Sequence, residues 1–137
     1  IDTDLPLAQA RAADFDLIAL PGGLPGADHL DRDPRLRRLL TDMAAAGKTV
    51  SAICAAPKVL ASAGLLQGRR ATSYPGFLDP RQVRYQEDPV VVDGPLITSR
   101  GPGTALAFAL TLVETLAGAG KRAELEQRML VTKTASA

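Results

Sequence analysis

The sequence has one cysteine, one histidine and no tryptophan among its 137 residues. A single cysteine excludes a disulfide within the chain and a zinc site built from several thiolates, so we expect a reducing, cytoplasmic setting. Basic and acidic residues number 16 and 15, which gives a formal net charge of +1. This balance disfavours proteins that bind nucleic acids or anionic membranes through overall charge.

Long apolar runs are missing as well. No stretch approaches the roughly 18 to 20 uninterrupted apolar residues of a membrane-spanning helix, although 46% of the chain is hydrophobic. No phosphate-binding loop, paired-carboxylate motif or metal-ligand spacing occurs, so we expect neither a metal nor a nucleotide cofactor. The length suits a single domain over 1–137.

The first half of the sequence predicts alternating strands and helices. An apolar run over 15–20 ends in Pro-Gly-Gly and is typical of a strand buried on both faces of a parallel sheet. A capped, amphipathic helix is predicted over 33–47, a second strand over 48–53 and a second helix over 55–64. This order indicates right-handed parallel crossovers and the α/β class.

The second half predicts a hairpin and two helices. Short strands over 90–92 and 96–98 flank a turn-forming Asp-Gly-Pro. The helix predicted over 105–116 is apolar on almost every side, so we expect the sheet to cover one face and another element, such as a partner subunit, to cover the other. A more polar helix over 121–129 precedes a frayed tail over 132–137.

Three chemically distinctive features follow predicted strands. Gly22 and Gly23 come after the first strand, Cys54 after the second, and Arg100 after the second strand of the hairpin. Ligands of open parallel sheets bind beyond the carboxyl ends of the strands. We therefore expect these features to meet in one site.

Cys54 occupies the strand-turn-helix position of a nucleophile elbow. The amides and the positive dipole end of a following helix favour the thiolate, which makes the cysteine reactive and oxidisable. The alternative is a small buried core residue. The amides of Gly23 and Ala55 would donate to an oxyanion formed beside the sulfur, whereas a plain turn is the alternative for the glycines.

Three further residues each have two interpretations. Arg100 either binds an anionic substrate group and supports the thiolate or is a solvated surface arginine. Tyr74 either places a phenol near the sulfur or is an ordinary loop aromatic. His29 either assists a cysteine nucleophile or lies on a surface turn, and we favour the surface turn.

The segments FDLIALPGG, AICAAP and ITSRGPGT, at 15–23, 52–57 and 97–104, resemble the ThiJ/PfpI superfamily, a class I glutamine amidotransferase-like domain. They are most similar to the branch of the Parkinsonism-associated deglycase and its bacterial YajL-like relatives. The resemblance implies a flavodoxin-like three-layer α/β sandwich with a mostly parallel sheet. It also implies a homodimer that acts without a cofactor on methylglyoxal, glyoxal and early glycation adducts.

Carried over residue by residue, the resemblance makes Cys54 the nucleophile and oxidation site and places the amides of Gly23 and Ala55 beside it. Arg100 matches the motif arginine near the pocket, and we expect Gly22 and Tyr74 to line the same pocket, although Tyr74 departs from the family pattern. Family members also have a proton-sharing glutamate on an earlier helix. Since the sequence starts after the corresponding strand-helix-strand unit, we expect it to be incomplete at its N-terminus.

These observations lead to one main hypothesis and two alternatives. The main one is a glyoxalase or deglycase of low turnover, in which the Cys54 thiolate adds to an aldehyde. The first alternative is a non-catalytic redox sensor or chaperone whose cysteine is oxidised. A cysteine hydrolase or amidase is less favoured, because Tyr74 stands where some members carry a histidine.

Overall fold

The computed structural model describes residues 1–132. Except for its first residue, the predicted tail over 132–137 therefore lies outside the described part. The strands are Leu17–Leu20 (β1), Thr49–Ile53 (β2), Arg70–Ala71 (β3), Arg84–Tyr85 (β4), Val90–Asp93 (β5) and Leu96–Ser99 (β6). The α-helices are Gly26–Arg32 (α1), Pro34–Ala45 (α2), Pro57–Ser62 (α3), Ala105–Ala117 (α4) and Ala119–Arg128 (α5). Short 3₁₀ turns lie at Leu7–Gln9, Ala12–Asp14 and Pro102–Thr104.

The main sheet has the order β1-β2-β6-β5, and β3 and β4 form a small parallel pair beside it. β2 is parallel to both β1 and β6, whereas β5 and β6 form the predicted antiparallel hairpin. The register pairs Leu20 with Ala52 and Ile53 with Ser99. The carboxyl ends of β1, β2 and β6 therefore meet at one edge of the sheet.

The core lies between the sheet and helices α2 and α3. Asp33 caps α2 by accepting a hydrogen bond from the amide of Arg35 at 2.9 Å, as the sequence predicted. The apolar residues of α2 recur at helical spacing and pack with Val50 of β2. The buried members of this helix are Leu36, Leu39, Leu40 and Met43.

One expectation about burial is wrong within the described residues. The segment predicted as a buried strand is partly exposed, because within residues 1–132 β1 lies at the edge of the sheet and the described elements leave Ala19 uncovered; Phe15, which precedes β1, is 39% exposed. Helix α4 contacts β5, β6 and α5. Its Leu106 and Leu116 are exposed in the described chain, so the expected second cover of this helix, such as a partner subunit, stays a prediction.

Helix α1 was not predicted. Its start at Gly26, directly after Pro25, resembles a loop, and seven residues carry little periodicity. It nevertheless buries Ala27 completely and contacts α3. Among the described helices, none combines the length and apolar character needed to cross a membrane.

The substitution Asp33→Asn is expected to lower stability at neutral pH by an amount that disappears in acid. The side-chain hydrogen bond from Arg35 lowers the pKa of the Asp33 carboxyl from 3.8 to about 2. The carboxylate therefore stabilises the folded state fully above pH 3.8 and loses this effect as the pH falls through 2. Asparagine still caps the helix but carries no charge. Urea midpoints of the two proteins should converge in acid, and a gap independent of pH would contradict the assignment.

Candidate active site

Cys54 follows β2 in a left-handed backbone conformation, with a φ of +65°. This conformation is unfavourable for a residue with a Cβ and is found at functional turns. The side chain is partly exposed. The structure thus contains the predicted elbow, but α3 begins at Pro57 rather than near Ala55, because a left-handed residue interrupts the helical backbone.

Gly22 packs directly on the elbow. A Cβ built on Gly22 would lie 2.5 Å from the Cβ of Cys54, 2.9 Å from the carbonyl oxygen of Ile53 and 3.4 Å from the amide nitrogen of Ala55. Carbon atoms that are not bonded to each other do not approach so closely, so only glycine fits here. The loop after β1 and the turn after β2 therefore meet as the order of parallel strands predicts.

The two amides predicted to stabilise an oxyanion have no acceptor among residues 1–132. Neither Gly23 nor Ala55 donates a backbone hydrogen bond in this part of the chain. The Ala55 amide follows the cysteine directly, and Gly23 turns the backbone with a φ of +88°. Both amides are thus available to an oxygen atom bound beside the sulfur, and this role stays a prediction.

The backbone of Cys54 is held from two sides. Its N–H donates to the carbonyl oxygen of Ser99 at 3.0 Å, and its carbonyl oxygen accepts from the N–H of Tyr74 at 2.8 Å. Ser99 is fully buried, and its hydroxyl donates to the carbonyl oxygen of Pro89 at 2.7 Å. These bonds fasten the strained turn to the end of β6 and to the segment after β3.

Arg100 and Tyr74 line a shallow cavity of about 440 Å³, together with Glu87. The Nε of Arg100 donates to the carbonyl oxygen of Ser73 at 3.2 Å, and its Nη2 donates to the hydroxyl oxygen of Tyr85 at 3.0 Å. Arg100 is therefore engaged within the chain and is not a solvated surface residue. Binding of a substrate anion by Arg100 stays a prediction, as does the role of Tyr74, which is 49% exposed.

The lone histidine does not join this site. His29 is exposed on α1, which agrees with a surface position rather than with a partner for Cys54, although the position is helical and not a turn. In the part of the chain that the structure describes, no three His, Cys, Asp or Glu side chains are grouped to hold a metal ion.

Two contacts near the site escaped the sequence analysis. Lys58 of α3 forms an ion pair with Asp28 of α1, and this hydrogen bond lowers the pKa of the Asp28 carboxyl. The pair joins the helix after the glycine loop to the helix after the elbow. Tyr85, the partner of Arg100, lies in a strand of two residues, which is too short to show alternation.

Comparison with known proteins identifies the family. The model of the DJ-1/PfpI family matches residues 1–115. The chain belongs to the DJ-1/PfpI family. This confirms the predicted family, and the similarity to solved members confirms the α/β fold with a mostly parallel sheet.

Members of the DJ-1/PfpI family match most of the chain. Protein dj-1beta of Drosophila melanogaster is 45% identical over 132 residues, which cover 93% of this chain and 70% of that protein. Its crystal structure matches with a TM-score of 0.89 and 44% identity, covering 97% of this chain and 73% of that one.

Two further relatives have names that describe an activity. The glutathione-independent glyoxalase DJR-1.2 of Caenorhabditis elegans is 36% identical over 132 residues, covering 95% of this chain and 70% of that protein. A deglycase of Pyrococcus abyssi is 35% identical over 119 residues, which cover 85% of this chain and 71% of that protein. The chain spans between 30% and 71% of the length of seven curated relatives that it matches.

Proposed function

We propose that the protein converts small reactive carbonyl compounds, such as methylglyoxal and glyoxal, to hydroxy acids without a cofactor, and that it also acts on early glycation adducts. The observation that carries this proposal is Cys54, held in a left-handed turn against Gly22, together with the amides of Gly23 and Ala55, which have no acceptor in the described chain. The relatives named glyoxalase and deglycase support it.

The proposed reaction begins when the Cys54 thiolate attacks the aldehyde carbon. A C–S bond forms, and the electron pair of the carbonyl moves to oxygen, where the amides of Gly23 and Ala55 stabilise the charge. A carboxylate, which the resemblance implies on an earlier helix, transfers the proton from the former aldehyde carbon to the neighbouring carbonyl carbon. Water then cleaves the resulting thioester and releases the hydroxy acid and the thiol.

The test is formation of lactate from methylglyoxal by the full-length gene product without added glutathione. We expect many equivalents of lactate per protein, and no lactate after the cysteine has been alkylated with iodoacetamide. The heat-denatured protein is the control, because its lysine and arginine side chains still consume methylglyoxal without turnover. Methylglyoxal loss without lactate would contradict the proposal.

A redox sensor is the second candidate, because Cys54 is a free and partly exposed thiol. This candidate predicts that hydrogen peroxide adds about 32 Da at Cys54, the mass of two oxygen atoms in a sulfinic acid. Such a mass gain together with no lactate would favour the sensor. For either function, we propose a homodimer, as the resemblance implies, and a cytoplasmic setting, as expected from the single cysteine.

A further inference from the structure

We propose that Tyr85, together with Arg100, positions Cys54 through the one peptide group that joins Ser73 to Tyr74. The inference rests on the proposed function, in which Cys54 is the reactive nucleophile. It makes Tyr85 a positioning residue, since its contacts reach the cysteine only through other groups.

The peptide group between Ser73 and Tyr74 is held at both ends. Its N–H donates to the carbonyl oxygen of Cys54 at 2.8 Å. Its carbonyl oxygen accepts from the Nε of Arg100 at 3.2 Å and from the hydroxyl of Tyr85 at 3.3 Å. Because a peptide group is planar, the direction of the carbonyl also determines the direction of the N–H.

Tyr85 and Arg100 also hold each other. The Nη2 of Arg100 donates to the hydroxyl oxygen of Tyr85 at 3.0 Å, and the guanidinium carbon lies 5.9 Å from the centre of the Tyr85 ring. The hydroxyl therefore accepts from Arg100 while it donates to Ser73. Since the bond from Arg100 is assisted by charge, the main effect of Tyr85 is to keep the guanidinium on the Ser73 carbonyl.

The segment before this peptide is anchored to the sheet. Ser73 and Thr72 are fully buried. The amide of Thr72 donates to the hydroxyl of Thr98 in β6 at 2.9 Å, which anchors the segment one residue before Ser73. Among the described residues, Arg100 and Tyr85 are the side chains that bind the carbonyl of the Ser73–Tyr74 peptide, so we infer that they set its orientation.

The orientation of this peptide matters for Cys54 because the left-handed turn needs external support. A guanidinium at the carbonyl end also polarises the peptide and strengthens its N–H as a donor. When this bond weakens, the turn relaxes and the position of the sulfur changes. We predict that the Ala55 amide, which follows the cysteine directly, supports the thiolate, so a displaced sulfur makes Cys54 less reactive at neutral pH.

The experiment compares the full-length protein with its Tyr85→Phe variant, which keeps the ring and removes only the hydroxyl. Hydrogen exchange of the Tyr74 amide measures how firmly the peptide N–H is hydrogen-bonded. Iodoacetamide alkylation of Cys54 at pH 7 and pH 10 measures the reactivity of the thiol. We expect faster exchange and about fivefold slower alkylation at pH 7, the effect of one hydrogen bond. The rate at pH 10 should stay unchanged, because ordinary thiols are ionised at that pH.

The matched control is Val83→Ala. Val83 is buried one residue before β4, so this variant loosens the same segment without removing a group that binds Ser73. It should lower the thermal midpoint and leave the ratio of the alkylation rate at pH 7 to the rate at pH 10 unchanged. An equal fall of the ratio in both variants would mean general loosening and would overturn the inference.

The remaining outcomes are equally decisive. If the Tyr85→Phe protein shows normal hydrogen exchange at the Tyr74 amide and a normal ratio of alkylation rates, the inference is overturned. The proposed function would still stand. A native protein whose Cys54 reacts like free cysteine overturns both the inference and the proposed function. If Tyr85→Phe does not fold, Arg100→Lys is measured instead. This variant keeps the positive charge but loses the hydrogen bond from Nε to the Ser73 carbonyl, so the same fall in the alkylation ratio is expected. A normal ratio would overturn the inference.

Discussion

Replacement of Cys54 by serine is expected to lower lactate formation from methylglyoxal by about a thousandfold or more, because a hydroxyl is not ionised at neutral pH and is a weak nucleophile. Serine has nearly the same shape as cysteine, and the side chain is only partly buried. The hydrogen bonds to Ser99 and Tyr74 come from the backbone and are kept. The thermal midpoint should therefore change little.

The measurement is lactate formation by the full-length protein and its Cys54→Ser variant, with a thermal melt of each. Asp33→Asn is a suitable control for turnover, because it changes an exposed ion pair at the start of α2. It should convert methylglyoxal at the normal rate. Turnover that survives in a folded Cys54→Ser protein would show that another group is the nucleophile.

Replacement of Gly22 by alanine is expected to damage stability and reactivity together. The new Cβ would lie 2.5 Å from the Cβ of Cys54 and 2.9 Å from the carbonyl oxygen of Ile53. Neither neighbour can swing away, since one is fixed to the strained turn and the other belongs to β2. Overpacking of this kind costs about 1–3 kcal/mol. Relief of the clash moves the elbow, so alkylation of Cys54 and turnover should fall as well.

Gly26→Ala provides the matched control, because it adds the same methyl group four residues later in the chain. A Cβ at Gly26 meets no atom within 4 Å, and the residue begins α1, where alanine is favoured. Its stability in urea and its alkylation rate should equal or slightly exceed those of the native protein. If Gly22→Ala behaves like Gly26→Ala, the close packing on Cys54 is not required.

Much of the fold and the centre of the candidate site can be predicted from the sequence. The capped helix α2 is visible because Asp33, Pro34 and the spacing of its apolar residues act within one helix. The approach of Gly22 to Cys54 is visible because parallel strands end at the same edge of their sheet. The family can be recognised from three segments of the sequence without structural information.

Only the tertiary structure decided how exposed β1 and α4 are and what Arg100 binds. The exposure of β1 depends on the strand order, and that of Leu106 on which elements reach α4. Arg100 meets Ser73 and Tyr85, which lie 27 and 15 residues away in the chain. No local periodicity relates residues so far apart, because their contact arises only when separate strands and loops pack together.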